Sequence, residues 1–169
     1  MPNLSLAVNI SALQISEEFP NKLYNMMDSY AIQADSLELE ITESLLMENI
    51  SFVQPLLNDV REQNISFAID DFGTGYSSIN YLLKLPFDVL KIDRNFVSGI
   101  DLSNDLENLC RIIVEMGHSL NKAIVAEGVE NQQELEKLAS LNCEMIQGYF
   151  FSKPVSVDEM ANLIKQGSF

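Results

Sequence analysis

The chain has 169 residues, of which 47% are hydrophobic, and its formal net charge is −15 at pH 7. That length supports one domain with a sizeable core, and that hydrophobic content excludes a disordered chain. The acidic excess excludes a general nucleic-acid or anionic-membrane surface, which would be built from Lys and Arg. An acidic protein can still take a phosphorylated ligand where bound metal ions reverse the local charge.

Cys110 and Cys143 are far apart and lack a metal-ligand spacing, so they read as reduced core thiols. No apolar run is long enough to span a bilayer. Met1-Pro2-Asn3 has neither the basic nor the apolar region of a signal peptide. The expectation is a soluble, cytoplasmic domain without membrane contact.

In chain order, the first strand is expected over Leu4–Ile10 and the second over Leu37–Thr42. Phe52–Asn64 follows as an amphipathic helix, with Val53, Leu56, Leu57 and Val60 at helical spacing. Ser66–Asp70 and Val89–Asp93 are the third and fourth strands. Leu106–Leu120 is a long helix, with Asn104 or Asp105 as its expected cap. Ala123–Glu127 is the fifth strand, and the helix Gln132–Leu141 is capped by Asn131. Glu144–Gln147 is the sixth strand, and Val157–Gln166 is the closing helix. Most of these strands are short and apolar on both faces, as parallel strands covered by helices are. The second is less clean, because Leu and Glu alternate before Ile41. About six βα units without a linker or internal repeat imply one α/β domain over 1–169, either doubly wound or a barrel.

Polar residues gather at the ends of these strands. Asn9 closes the first, Glu40 and Glu43 the second, Asp70 and Asp71 the third, Lys91 and Asp93 the fourth, Glu127 and Glu130 the fifth, and Gln147 the sixth. In an α/β barrel those ends converge on the active-site face. Carboxylate and amide oxygens suit Mg²⁺ or Mn²⁺. Asp70 and Asp71 could each reach a different ion, and two ions can serve phosphodiester hydrolysis. Lys91 could orient the attacking water or offset charge in the transition state. Taken singly, each residue has a plainer explanation: a turn at Asp70–Gly75, a solvated Glu40 or Glu43, a local Lys91–Asp93 ion pair. Six polar strand ends are poorly explained that way together. His118, the only histidine, reads as a helix-end or core residue. Tyr149, Phe150 and Phe151 read as core or rim, with base stacking as the alternative. Gly73–Ser78 is not a phosphate loop of the GxxxxGK type and reads as a loop beside a metal site.

VNIS around Asn9, LEITES around Glu40, DDFGTGYSS from Asp70, LKIDRNFV from Leu90, VAEGVE from Val125 and QGYFFSKP from Gln147 together resemble the EAL domain family, in its order and approximate spacing. The resemblance covers essentially the whole chain. It implies a TIM-barrel-like fold and hydrolysis of cyclic di-GMP to linear pGpG with Mg²⁺ or Mn²⁺. It implies Asn9, Glu40, Asp70, Asp71 and Glu127 as metal ligands. Lys91 becomes the residue holding the hydrolytic water, and Glu127 also a base. It makes Glu43 the anchor of the loop Gly73, Thr74, Gly75, Tyr76, Ser77, a loop tied to substrate, metal and dimerisation. Asp93, Glu130 and Gln147 become substrate or supporting positions.

One departure stands against these matches. The Glu-Ala-Leu motif that names the family is absent from the sequence. A TIM barrel typically takes about 250 residues. The expectation is therefore an N-terminally incomplete barrel, short of a ligating glutamate and a phosphate-binding arginine, and weak or inactive alone. Its open edges would favour a homodimer or exchange of elements between chains. The competing reading is a non-catalytic module that binds cyclic di-GMP or a protein.

Overall fold

The structure is a computed structural model that describes residues 4–48, 50–75 and 79–166. Six strands form one sheet: β1 (Leu6–Asn9), β2 (Leu37–Thr42), β3 (Ser66–Phe72), β4 (Val89–Ile92), β5 (Ala123–Ala126) and β6 (Met145–Ile146). They lie side by side in chain order, and every neighbouring pair is parallel. The sheet is an incomplete TIM-barrel-like half-barrel, six strands against the eight of a closed barrel. A consequence of this order is that all six carboxyl ends lie along the same edge.

Helices connect the strands, as parallel pairing requires. They are α1 (Phe19–Tyr30), α2 (Glu43–Glu48), α3 (Ile50–Arg61), α4 (Ile79–Leu82), α5 (Arg94–Val97), α6 (Asn104–Ser119), α7 (Gln132–Ser140) and α8 (Val157–Gln166). The four helices expected from periodicity are α3, α6, α7 and α8. The sequence reading did not delimit α1, α2, α4 or α5. Three of these are six residues or shorter, too brief for a 3.6-residue period to show. In α1 the local chemistry is a better guide than the pattern. Pro20 occupies the first turn, and Ala31 ends the helix in the left-handed region at φ 53°.

The cap of α6 corrects the expectation. Ser103, not Asn104 or Asp105, takes the extended cap conformation, and its hydroxyl accepts the Leu106 N–H at 3.3 Å. Asn104 and Asp105 fall in the first turn, where an acidic side chain suits the helix dipole. Asn131 caps α7 as expected, accepting the Glu134 N–H at 2.9 Å.

Burial follows strand order. β4 is buried along its whole length, and β3 nearly so. Leu39, Phe67, Leu90, Ile92 and Ile124 form the core between sheet and helices. Each such side chain contributes about 2–3 kcal/mol by leaving water. Alternation of Leu and Glu in β2 also resolves: Leu37, Leu39 and Ile41 pack in the core, Glu38 is half-buried against Ser66, and Glu40 is buried. β1 is exposed throughout and pairs only with β2 among the described residues.

Cys110 and Cys143 are unpaired and buried. Burial pushes the Cys110 thiol up to about 12, with a small contribution from Cys143. Burial, reinforced by Glu144, pushes Cys143 up to about 11. The thiolate is the reactive form, so a disulfide-exchange reagent at pH 8 is expected to leave both thiols unmodified in the native chain and to label both after unfolding in guanidinium. Rapid labelling of the native chain would contradict this packing.

Candidate functional site

Lys91 is the centre of the site. On β4 its neighbours Leu90 and Ile92 point to the opposite face, so the lysine side chain is directed inward. Lys91 is 3% exposed, and its ammonium meets three carboxylates, one on β2, one on β3 and one directly after β5. The distances are 2.5 Å to Glu40 Oε1, 3.3 Å to Asp70 Oδ1 and 2.6 Å to Glu127 Oε1. Burial works against its charge. Hydrogen bonds to Glu127 and Glu40 and the charge of Asp70 outweigh that, so its pKa stands above the ordinary lysine value. The Lys91–Asp93 ion pair does not form. Asp93 instead caps α5, accepting the Asn95 N–H at 2.9 Å.

Asp70 and Asp71 are consecutive, and regular strand geometry would send them to opposite faces. Asp71 has φ 54°, a left-handed conformation rare for a residue with a Cβ, and the β3–β4 register shifts between Ile69 and Phe72. With that local turn, ligand atoms of Asp70, Asp71 and Glu127 lie within 4.8 Å of one another. Burial first, then the charges of Asp70 and Asp93, raise the Asp71 pKa. Burial also raises that of Glu127, against the opposing pull of Lys91.

These shifts reflect burial first and neighbouring negative charge second. Lys91 is the only cation within ion-pair distance of Glu40, Asp70 or Glu127 among the described residues. Hard oxygen donors in excess over positive charge are the donor set that Mg²⁺ or Mn²⁺ takes. The residues present therefore fit such ions.

Asn9 ends β1 directly across from Glu40 in the parallel register, and it is exposed. Glu43 is 1% exposed and opens α2. Its Oε2 accepts the Gly73 N–H at 2.8 Å. Its Oε1 has no hydrogen-bond partner among the described residues. A Cβ on Gly75 would come within 2.7 Å of that oxygen, so a larger residue there would have to displace the Glu43 carboxylate. Thr74 turns the loop by donating its hydroxyl to Asp71 O at 2.8 Å. Tyr76 and Ser77 lie outside the described residues.

Beside the carboxylates is a cavity of about 850 Å³. Asp71, Asp93, Glu127 and Gln147 line one side, Arg94, Glu130 and Tyr149 the rim, and Val157, Met160, Leu163 and Ile164 of α8 the apolar wall. Glu130 faces Arg94 at 3.7 Å. Sequence reading passed over Arg94, whose only signal was its position directly after Lys91-Ile92-Asp93. Tyr149, Phe150 and Phe151 are exposed rather than core, Tyr149 alone of them lining the cavity, and the two phenylalanines meet edge to face at 5.4 Å. His118 ends α6 and contacts Glu144 at 2.5 Å. It precedes β5, so it lies toward the amino ends of the strands, away from the carboxylates.

An EAL domain profile matches residues 1–154. Cyclic di-GMP phosphodiesterase NbdA of Pseudomonas aeruginosa is 39% identical over 167 residues, which is 98% of this chain and 21% of that protein. The chain thus spans about a fifth of that relative's length. Among solved structures, the PaMucR phosphodiesterase in complex with c-di-GMP superposes with a TM-score of 0.88 at 36% identity, covering 92% of this chain and 64% of that one. The manganese and cy-diGMP complex of Klebsiella pneumoniae BlrP1 at pH 9.0 superposes with a TM-score of 0.84 at 28% identity, covering 90% of this chain and 40% of that one. With its motifs, its parallel half-barrel and its strand-end carboxylates, the chain belongs to the EAL domain family.

Proposed function

We propose that this chain is the larger part of a cyclic di-GMP phosphodiesterase module, hydrolysing the cyclic dinucleotide to linear pGpG. The observation that carries this reading is the convergence of Asp70, Asp71 and Glu127 around Lys91 at the ends of β3, β4 and β5. The relatives' complexes with cyclic di-GMP and manganese support it.

Asn9, Glu40, Asp70, Asp71 and Glu127 would hold Mg²⁺ or Mn²⁺. When bound, such ions supply Lewis acidity toward a phosphoryl oxygen and a lower pKa for water. Lys91 keeps its proton at neutral pH, so it serves as charge and hydrogen-bond donor, orienting water and offsetting charge that builds on the phosphate. Glu127, its pKa raised by burial, suits transient acceptance of the water's proton. Glu43 steadies the Gly73–Gly75 loop through the Gly73 amide. Asp93, Glu130 and Gln147 flank the cavity that would receive the dinucleotide. The module would act in the bacterial cytoplasm within a larger signalling protein. The exposed edge strand with Leu6 and Val8 supports pairing with a second copy or another chain.

Turnover of cyclic di-GMP with Mn²⁺ tests the reading, on the chain alone and joined upstream to a segment bearing Glu-Ala-Leu. The joined form is expected to produce pGpG, and the chain alone little or none. Asp70→Asn or Glu127→Gln in the joined form should lower turnover by more than the roughly 10–100-fold typical of outer-shell changes. Binding without turnover in both forms would favour a non-catalytic module, and neither binding nor turnover would sink the assignment.

Lys91 also makes a stability prediction. Lys91→Met leaves Glu40, Asp70 and Glu127 buried without their ammonium, a loss of about 3–5 kcal/mol. Thermal unfolding should show a lower Tm than wild type, and a larger rise in Tm on adding Mn²⁺. Saturation at a hundred times Kd would return about 2.7 kcal/mol.

A further inference from the structure

Glu134 is the one buried carboxylate outside the strand-end set among the described residues, 4% exposed on α7. Its two oxygens are held by backbone amides. Oε1 accepts the Gly99 N–H at 3.0 Å, and Oε2 accepts the Glu130 N–H at 2.9 Å. Two converging donors match an acceptor-only carboxylate. A glutamine would turn its NH₂ toward one of them.

A helix-start role alone does not account for this geometry. In a capping box the third residue of the helix reaches back to the N–H of the cap. Here the cap is Asn131, and Glu134 reaches past it, to Glu130 and to a different βα unit. Gly99 follows α5, which begins directly after Lys91-Ile92-Asp93. Glu130 lies three residues beyond Glu127. The carboxylate therefore staples the unit that carries Lys91 to the loop that carries Glu127.

That loop is held on both sides of Gly128. The Glu127 N–H donates to Ile92 O at 3.1 Å, and the Val129 N–H to Gln147 O at 3.1 Å. Gly128 sits so close to Arg94 that a Cβ would meet its Cβ at 2.5 Å. Glu134 is the buried side chain that closes the arrangement.

We propose that Glu134 is a positioning residue for Glu127, fixing the β5–α7 loop so that the Glu127 carboxylate stays registered with Asp70 and Asp71. The proposal rests on the reading of Glu127 as a metal ligand. Loss of the staple weakens ion binding because the ligand set is no longer preorganised.

The test is Mn²⁺ titration by electron paramagnetic resonance, with amide hydrogen exchange over residues 127–130. It compares the wild-type chain with Glu134→Ala, Glu134→Gln, Asp70→Asn and Glu107→Ala. The last breaks the Lys137–Glu107 ion pair between α6 and α7 without touching the loop. Glu134→Ala should weaken Mn²⁺ binding by about tenfold or more, Glu134→Gln by less, and Glu107→Ala not at all. Exchange at Glu127 and Glu130 should quicken in both Glu134 variants alone. Should Glu134→Ala fail to fold, Glu134→Gln carries the comparison. Wild-type affinity in the Glu134 variants, with binding lost in Asp70→Asn, overturns the proposal and leaves the metal-site reading standing. If Asp70→Asn also binds as wild type, the metal-site reading fails. Hydrogen exchange then decides the staple, and unchanged exchange overturns it.

Discussion

A single buried ammonium organises this protein. Lys91 lies on β4 and reaches carboxylates on β2, β3 and at the end of β5. Isolated, any of these charges would carry a desolvation cost of several kcal/mol. Together they share hydrogen bonds that hold the lysine protonated. The arrangement is possible because four neighbouring parallel strands end at the same level, which sets the four side chains within reach. The charge does not balance, however, since three carboxylates meet one ammonium and Asp71 adds a fourth beside them. That imbalance favours a site open to divalent cations over a closed ion pair.

The second constraint is in the backbone. Two consecutive aspartates serve one site only if the strand turns between them, and Asp71 does so in the left-handed region. Such a conformation costs of order 1–3 kcal/mol and persists where surrounding contacts over-determine it. The contacts are visible: the Thr74 hydroxyl donates to Asp71 O, and the Gly73 N–H, two residues beyond Asp71, donates to Glu43. Glu43 is itself almost wholly buried at the start of α2. The loop is therefore fixed from the far side by a carboxylate that has no part in the ligand cluster.

Much of this was legible in the sequence. Short apolar runs over Leu4–Ile10, Leu37–Thr42, Ser66–Asp70, Val89–Asp93, Ala123–Glu127 and Glu144–Gln147 located all six strands to within two residues at either end, because runs of Val, Ile and Leu bounded by polar groups have few other folds open to them. What escaped was three-dimensional. The partner choice of Lys91 could not be read from sequence, where Asp93 is the nearer acid. In the structure Asp93 turns away to cap α5, and Lys91 takes carboxylates up to 51 residues distant. Glu134 escaped for the same reason. The spacing Asn131 to Glu134 has the form of a helix-start box, yet the contact that matters, to Gly99, is 35 residues away.

Position in the sheet grades the site. Asp70 and Lys91 lie on β3 and β4, and Glu127 directly follows β5, three strands that each have a neighbour on both sides. Asn9 is on β1, which pairs only with β2 among the described residues and is exposed along its length. Gln147 follows a strand of two residues at the other edge. Among the described residues the central strands are thus hydrogen-bonded on both sides, whereas β1 and β6 are paired on one side only. The placement of Asn9 depends on the contacts of β1, whereas that of Glu127 depends on the loop that Glu134 and Ile92 hold. The placement of Glu127 and the pairing at the β1 edge therefore rest on different contacts, and the register links the two only where Asn9 lies beside Glu40.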